Sequence, residues 1–239
     1  MRGSSGGELF SILDVSGDGF TVVPHEIPLD AGKGKSIDDI LILGNTMILV
    51  DNIVFPKYLS EYDIGDTAHP RHVATRKLPN NGVYEHIRKG DLANNRLVLL
   101  SSSTGMNGAY NFVNIFDRYT DMETGISLAF THEEFLWEEK RSREWEQVFD
   151  ICLLGECLLV LTDKRLCQIN LNVPDLWERP ETVSPDPSKL IHPNPLHQRY
   201  LETLEANVEG MDRMIKLDAG HCLLTNPRGY RIFSSYTDG

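Results

Sequence analysis

The chain has 239 residues, 41% of them hydrophobic and 24% charged, enough for one large domain with a well-filled core. A formal net charge of −12 argues against a nucleic-acid partner, because phosphate binding rests on excess Lys and Arg. No apolar run approaches the ~20 residues that a membrane-spanning helix needs.

In chain order, the start (MRGSSGGELF) has no apolar centre and does not read as a secretory leader. Residues 1–7 are taken as a disordered start or a remnant of expression, and 8–239 as a single domain. Five phrases then follow one plan: a turn residue, an apolar run, a polar turn and a second apolar or alternating run. They are Gly7–Val23, Gly44–Leu59, Asn95–Phe116, Gly155–Leu171 and Gly220–Ser234. Each predicts a β-hairpin, and Cys167, Ile169 and Leu171 alternating with Gln168 and Asn170 show the period of two expected of a half-buried strand. First strands are predicted at Ser36–Leu43, Gln147–Leu154 and Arg213–Leu217, and fourth strands at His72–Leu78 and Gly125–Phe130. A hairpin that cannot bury its own faces must stack on its neighbours.

Two segments break the plan and predict insertions near 131–147 and 173–210. Thr131–Gln147 opens at capping-box spacing (Thr131, Glu134) and predicts a charged helix. In Asn194–Val208, Leu196, Tyr200, Leu201, Leu204 and Val208 share a helical face behind a capping Asn194 and Pro195. A proline-rich loop from Val173 leads into it.

The candidates for chemistry are weak. Asp14–Gly19 has oxygen ligands around glycines as a calcium loop does, but the closing acid falls at Glu26, one residue late, and a plain turn is the better reading. Gly34-Lys35-Ser36 lacks the first glycine and the helix of a phosphate-binding loop. Ser101–Gly105 has no nucleophile elbow and is read as a flexible connection. His69 and His72 would need further ligands to hold a metal. Cys152, Cys157, Cys167 and Cys222 sit in apolar runs without C-x-x-C spacing, as buried thiols of a reducing compartment do, which suggests a cytoplasmic or nuclear location. Asp39, Asp51, Asp117, Asp150 and Asp163 lie near predicted strand ends, as turn residues or as carboxylates converging on a channel. Trp137, Trp145 and Trp177 fall in the charged insertions, either as anchors for a protein partner or as packing for the insertions. No catalytic, cofactor or metal site is assigned.

The repeated hairpins resemble a β-propeller of the WD-repeat type over most of the chain. Gly220-His221 stands where such a repeat opens, without the closing Trp-Asp. The resemblance implies an all-β propeller or partial propeller of about five hairpin units with one or two inserted helices. Either its N-terminal strand completes the last repeat or the chain is part of a larger ring. The implied function is a non-enzymatic scaffold for protein partners. The alternative is a propeller hydrolase acting on a glycan or phosphoester through channel carboxylates.

Overall fold

The computed structural model describes residues 9–14, 21–26, 39–51, 57–78, 85–105, 108–119, 125–129, 146–177, 200–205, 208 and 210–234. The chain divides into two compact units, Met1–Val83 and Tyr84–Gly239. Among the described residues, regular structure is all β apart from 3₁₀ conformation at Pro174–Leu176 and at Tyr200.

The first unit holds a two-stranded hairpin, β1 (Leu9–Asp14) and β2 (Thr21–Glu26), and a four-stranded antiparallel meander. The meander runs β3 (Asp39–Leu43), β4 (Thr46–Asp51), β5 (Tyr58–Asp63) and β6 (Arg71–Lys77). Met47, Leu49 and Tyr62 form a small buried cluster on one of its faces.

The second unit holds three further meanders. The first is β7 (Glu85–Ala93), β8 (Arg96–Gly105), β9 (Gly108–Phe116) and β10 (Gly125–Ala129). The next is β11 (Val148–Leu154), β12 (Cys157–Thr162), β13 (Leu166–Asn170) and β14 (Glu202–Glu205). The last has three strands, β15 (Arg213–Lys216), β16 (His221–Asn226) and β17 (Gly229–Ser234).

Burial explains the order of these sheets. Alternate residues of a strand point to opposite faces. From the middle sheet, Ile151, Leu153, Leu158, Val160 and Ile169 join Val98, Leu100, Val113, Ile115 and Ile126 of the preceding sheet in one core cluster. The intervening residues Cys152, Leu154, Leu159, Leu161 and Leu166 join Met214, Cys222 and Leu224 of the last sheet in a second cluster. The middle sheet is therefore covered on both faces, and every residue of β12 is buried. This is why β12 reads as an unbroken apolar run rather than an alternating one. Its leucines contribute about 1.5–3 kcal/mol each through burial. The first strands are neighbours too: β11 packs against β7 and against β15.

Tight turns set the register. The first and second strands of three meanders are joined by two-residue turns with positive φ: Gly44 at 62°, Asn94 and Asn95 at 50° and 65°, and Gly155 at 58°. Asn and Gly tolerate that region, and this turn geometry matches the right-handed strand twist.

All five predicted hairpins are present, and the predicted first and fourth strands match β3, β11, β15, β6 and β10 within a few residues. Among the described residues the inserted helices are not seen. Within Asn194–Val208, Glu202–Glu205 is a strand that pairs with β13, with Gln168 Nε2 donating to Glu202 at 2.6 Å and Arg165 to Thr203 at 2.9 Å. Pairing with an open sheet edge outcompetes the local helical pattern. In the segment near 131–147, Glu146 and Gln147 are extended coil leading into β11, and the remainder lies outside the described residues. The predicted loop at Ser101–Gly105 is the end of β8, paired on one side with β7 and on the other with β9.

Candidate functional site

The first strands of the second unit carry charges where their neighbours' cores would predict apolar residues. β7 and β11 each contain a register shift, between Ile87 and Lys89 and between Val148 and Asp150. Both lie four residues ahead of the strand's last residue, so the irregularity is itself repeated. A bulge re-aims the side chains that follow it. Here it turns Lys89 and Asp91 of β7, and Asp150 and Cys152 of β11, toward the adjoining first strands.

The carboxylates act as bridges between sheets. Asp91 Oδ2 accepts from the Leu153 backbone N–H at 2.7 Å, and its Oδ1 lies 3.6 Å from Lys216 Nζ on β15. Asp150 Oδ2 accepts from the Met214 N–H of β15 at 2.6 Å, and its Oδ1 pairs with Lys89 and accepts from the Ile151 N–H at 2.8 Å. The Asp150 side chain is 5% exposed, whereas the Lys89 and Lys216 side chains are 38% and 35% exposed. Two cations thus match two anions, as buried charges require. Asp150 meets protein donors on both oxygens, so its chemistry is that of a joint between strands.

The other acids singled out in the sequence do not join this cluster. Asp117 accepts from Arg96 Nε at 3.1 Å, and Asp163 accepts from the Gln147 N–H at 2.9 Å. Asp39 pairs with Val50 in β3–β4, and Asp51 ends β4 opposite Tyr58. His69 is bonded to Asp66 at 3.0 Å while His72 is bonded to Thr75 at 3.0 Å, so each imidazole has its own partner. Among the described residues, no group of three or more His, Cys, Asp or Glu is placed to hold a metal ion. Asp14 ends β1, and Val15–Gly19 and Gly34–Ser36 lie outside the described residues.

Trp137 and Trp145 also lie outside them. Trp177 is packed against the first core cluster, donates from Nε1 to the Leu171 carbonyl at 2.9 Å, and carries the Arg96 guanidinium 5.6 Å over its ring. Arg96 in turn pairs with Asp117 and Glu156. Trp177 thus fastens the chain that leaves β13 back onto the sheets.

A different surface remains open. Met214, Cys222 and Leu224 turn the inner face of the last sheet to the core. Its outer face presents Ile215, Leu223 and Ile232 in one cross-strand row. Leu217 and Tyr230 extend that row on the same face. Ile215, Leu217, Tyr230 and Ile232 are 46%, 51%, 70% and 62% exposed. Among the described residues, β17 pairs only with β16, whereas the other two sheets of the unit have a fourth strand.

Sequence reading missed Lys89, Asp91 and Lys216. The available signal was a charged residue interrupting an apolar first strand shortly before its hairpin: Lys89 and Asp91, Asp150, and Lys216. No family model matches the sequence, and no curated protein is significantly similar to it.

Proposed function

We propose that this chain is a non-enzymatic protein–protein interaction scaffold of β-propeller-like build, within a larger assembly. The observation that carries this reading is the open apolar face of the last sheet. Each sheet boundary inside the second unit is an apolar face covered by the next meander. The row Ile215–Leu223–Ile232 continues that series outward with nothing described upon it. Its partner is accordingly another antiparallel β-sheet, contributed by a different protein and stacked as the internal sheets are. Trp137 and Trp145 are proposed as additional anchors from the charged insertion, while Trp177, the third candidate, is packed against the first core cluster.

The hydrolase alternative draws on Asp91 and Asp150, two carboxylates carried by neighbouring first strands. Both acids accept backbone N–H groups from the next strand, and this structural use favours the scaffold reading.

The test is affinity capture from the native source with quantitative mass spectrometry, comparing wild type with an Ile232→Asp/Tyr230→Asp variant and a Trp137→Ala/Trp145→Ala variant. The face variant should lose the partner at least tenfold while its thermal midpoint stays within about 2 °C, because exposed substitutions change stability by under ~0.5 kcal/mol. Full retention of every partner by both variants would overturn the proposal.

A further inference from the structure

We propose that Cys152 and Cys222 form an oxidisable dithiol, which hydrogen peroxide converts into a disulfide fastening the last sheet to the middle one. Both are free cysteines and both are buried in the same core cluster. Cys152 lies on β11 and Cys222 on β16, and these strands touch. Cys222 is in register with Lys216 of β15, the residue that reaches Asp91 beside β11. Cys152 follows Asp150 by two positions and so shares its side of β11, where Asp150 already bonds to β15.

The two free thiols lie within hydrogen-bonding reach of each other. That proximity raises the Cys152 pKa and lowers that of Cys222, so Cys222 is the sulfur that ionises first, with Cys152 as its S–H donor. The other two cysteines lack this arrangement. Cys157 donates to the Gln168 amide oxygen at 3.5 Å, and burial pushes Cys157 and Cys167 up to about 11 each. Only a thiolate is an effective nucleophile, so Cys222 is the selective entry point. It lies in the three-stranded sheet with an open outer face, which local fluctuation exposes before the doubly covered middle sheet.

The chemistry balances. The Cys222 thiolate attacks one peroxide oxygen, breaks the O–O bond and expels hydroxide, leaving a sulfenic acid. That hydroxide takes the Cys152 proton and becomes water. The Cys152 thiolate then attacks the Cys222 sulfur and displaces a second hydroxide, which takes up the proton Cys222 first released. Two thiols lose two electrons and two protons, and the peroxide becomes two waters.

The experiment treats the folded full-length chain with hydrogen peroxide and follows intact mass and non-reducing peptide maps. The expected result is a loss of about two mass units and a Cys152–Cys222 cross-linked peptide, reversed by a thiol reductant. Cys152→Ala and Cys222→Ala should each abolish the cross-link and Cys157→Ala should leave it. Each variant's circular dichroism is recorded to establish its fold. In wild type, the oxidised form should melt higher by on the order of 5 °C, since the bond closes a long loop. A different cysteine pair, oxygen addition without a cross-link, or no mass change under conditions that oxidise the denatured chain would each overturn the proposal.

Discussion

Removing the Asp150 carboxylate tests whether the charged joints hold the second unit together. In Asp150→Ala, the buried Met214 N–H loses its 2.6 Å acceptor, the Ile151 N–H loses its side-chain acceptor, and Lys89 loses its partner. A hydrogen bond to a charged group is worth about 1.5–3 kcal/mol, and an orphaned buried donor costs about 1–3 kcal/mol. The Lys89 pair adds at most ~1 kcal/mol because the Lys89 side chain is partly exposed. The expected loss is about 3–5 kcal/mol, or a fall of roughly 10 °C in melting temperature. Asp150→Asn, whose amide oxygen can still accept from one N–H, should lose about half as much. Lys89→Ala should lose about 1 kcal/mol or less. Urea unfolding followed by circular dichroism gives the free energies, and hydrogen exchange at the Met214 amide reports on the joint itself. A loss below ~1 kcal/mol for Asp150→Ala, or Met214 protection unchanged from wild type, would refute the bridging role.

Two further outcomes are expected. Gly155→Ala should destabilise by about 1 kcal/mol and Gly155→Asn by less than half of that, because φ is positive there and a Cβ meets only the Ala219 carbonyl at an ordinary 3.8 Å; equal melting points for the two variants would contradict this. Asp218 is held below the usual carboxylate range first by the Gly220 N–H and then by His221, and Asp66 first by His69 and then by the Ala68 N–H. Folded values below unfolded ones mean that these turns are stabilised above pH ~4 and lose that support as pH falls through the lowered values. The Gly220 and Ala68 amide resonances should therefore hold the carboxylate-bonded position down to about pH 4 and shift below it, and loss of that bonding above pH 5 would be the wrong sign.

The hairpins were legible because their cues are local: a turn residue with apolar residues on both sides. β7 was not, and the reason is physical. Lys89 and Asp91 break its apolar pattern, and the groups that make those charges tolerable, Asp150, Lys216 and the Leu153 N–H, lie far along the chain. β14 was misread for a related reason. Leu204 and Val208 fit a helical face, but the four residues Glu202–Glu205 are stabilised by hydrogen bonds to β13, which no periodicity encodes. Trp177 was legible as an anchor of some kind, whereas its hydrogen bond to Leu171 and its contact with Arg96 required the fold.

The carboxylate joints also have a direction. Asp91 reaches forward to the following meander, and Asp150 does the same. β15, with the sequence Arg-Met-Ile-Lys, has no acid with which to reach further. The electrostatic thread therefore ends at the last sheet, and the proposed docking face offers an apolar row with Arg213, His221 and Thr225 on the same side of the strands and no acid of β15 to extend the joints. Salt would loosen the exposed ends of the internal joints through screening, whereas docking on that face would hold or tighten as ionic strength rises.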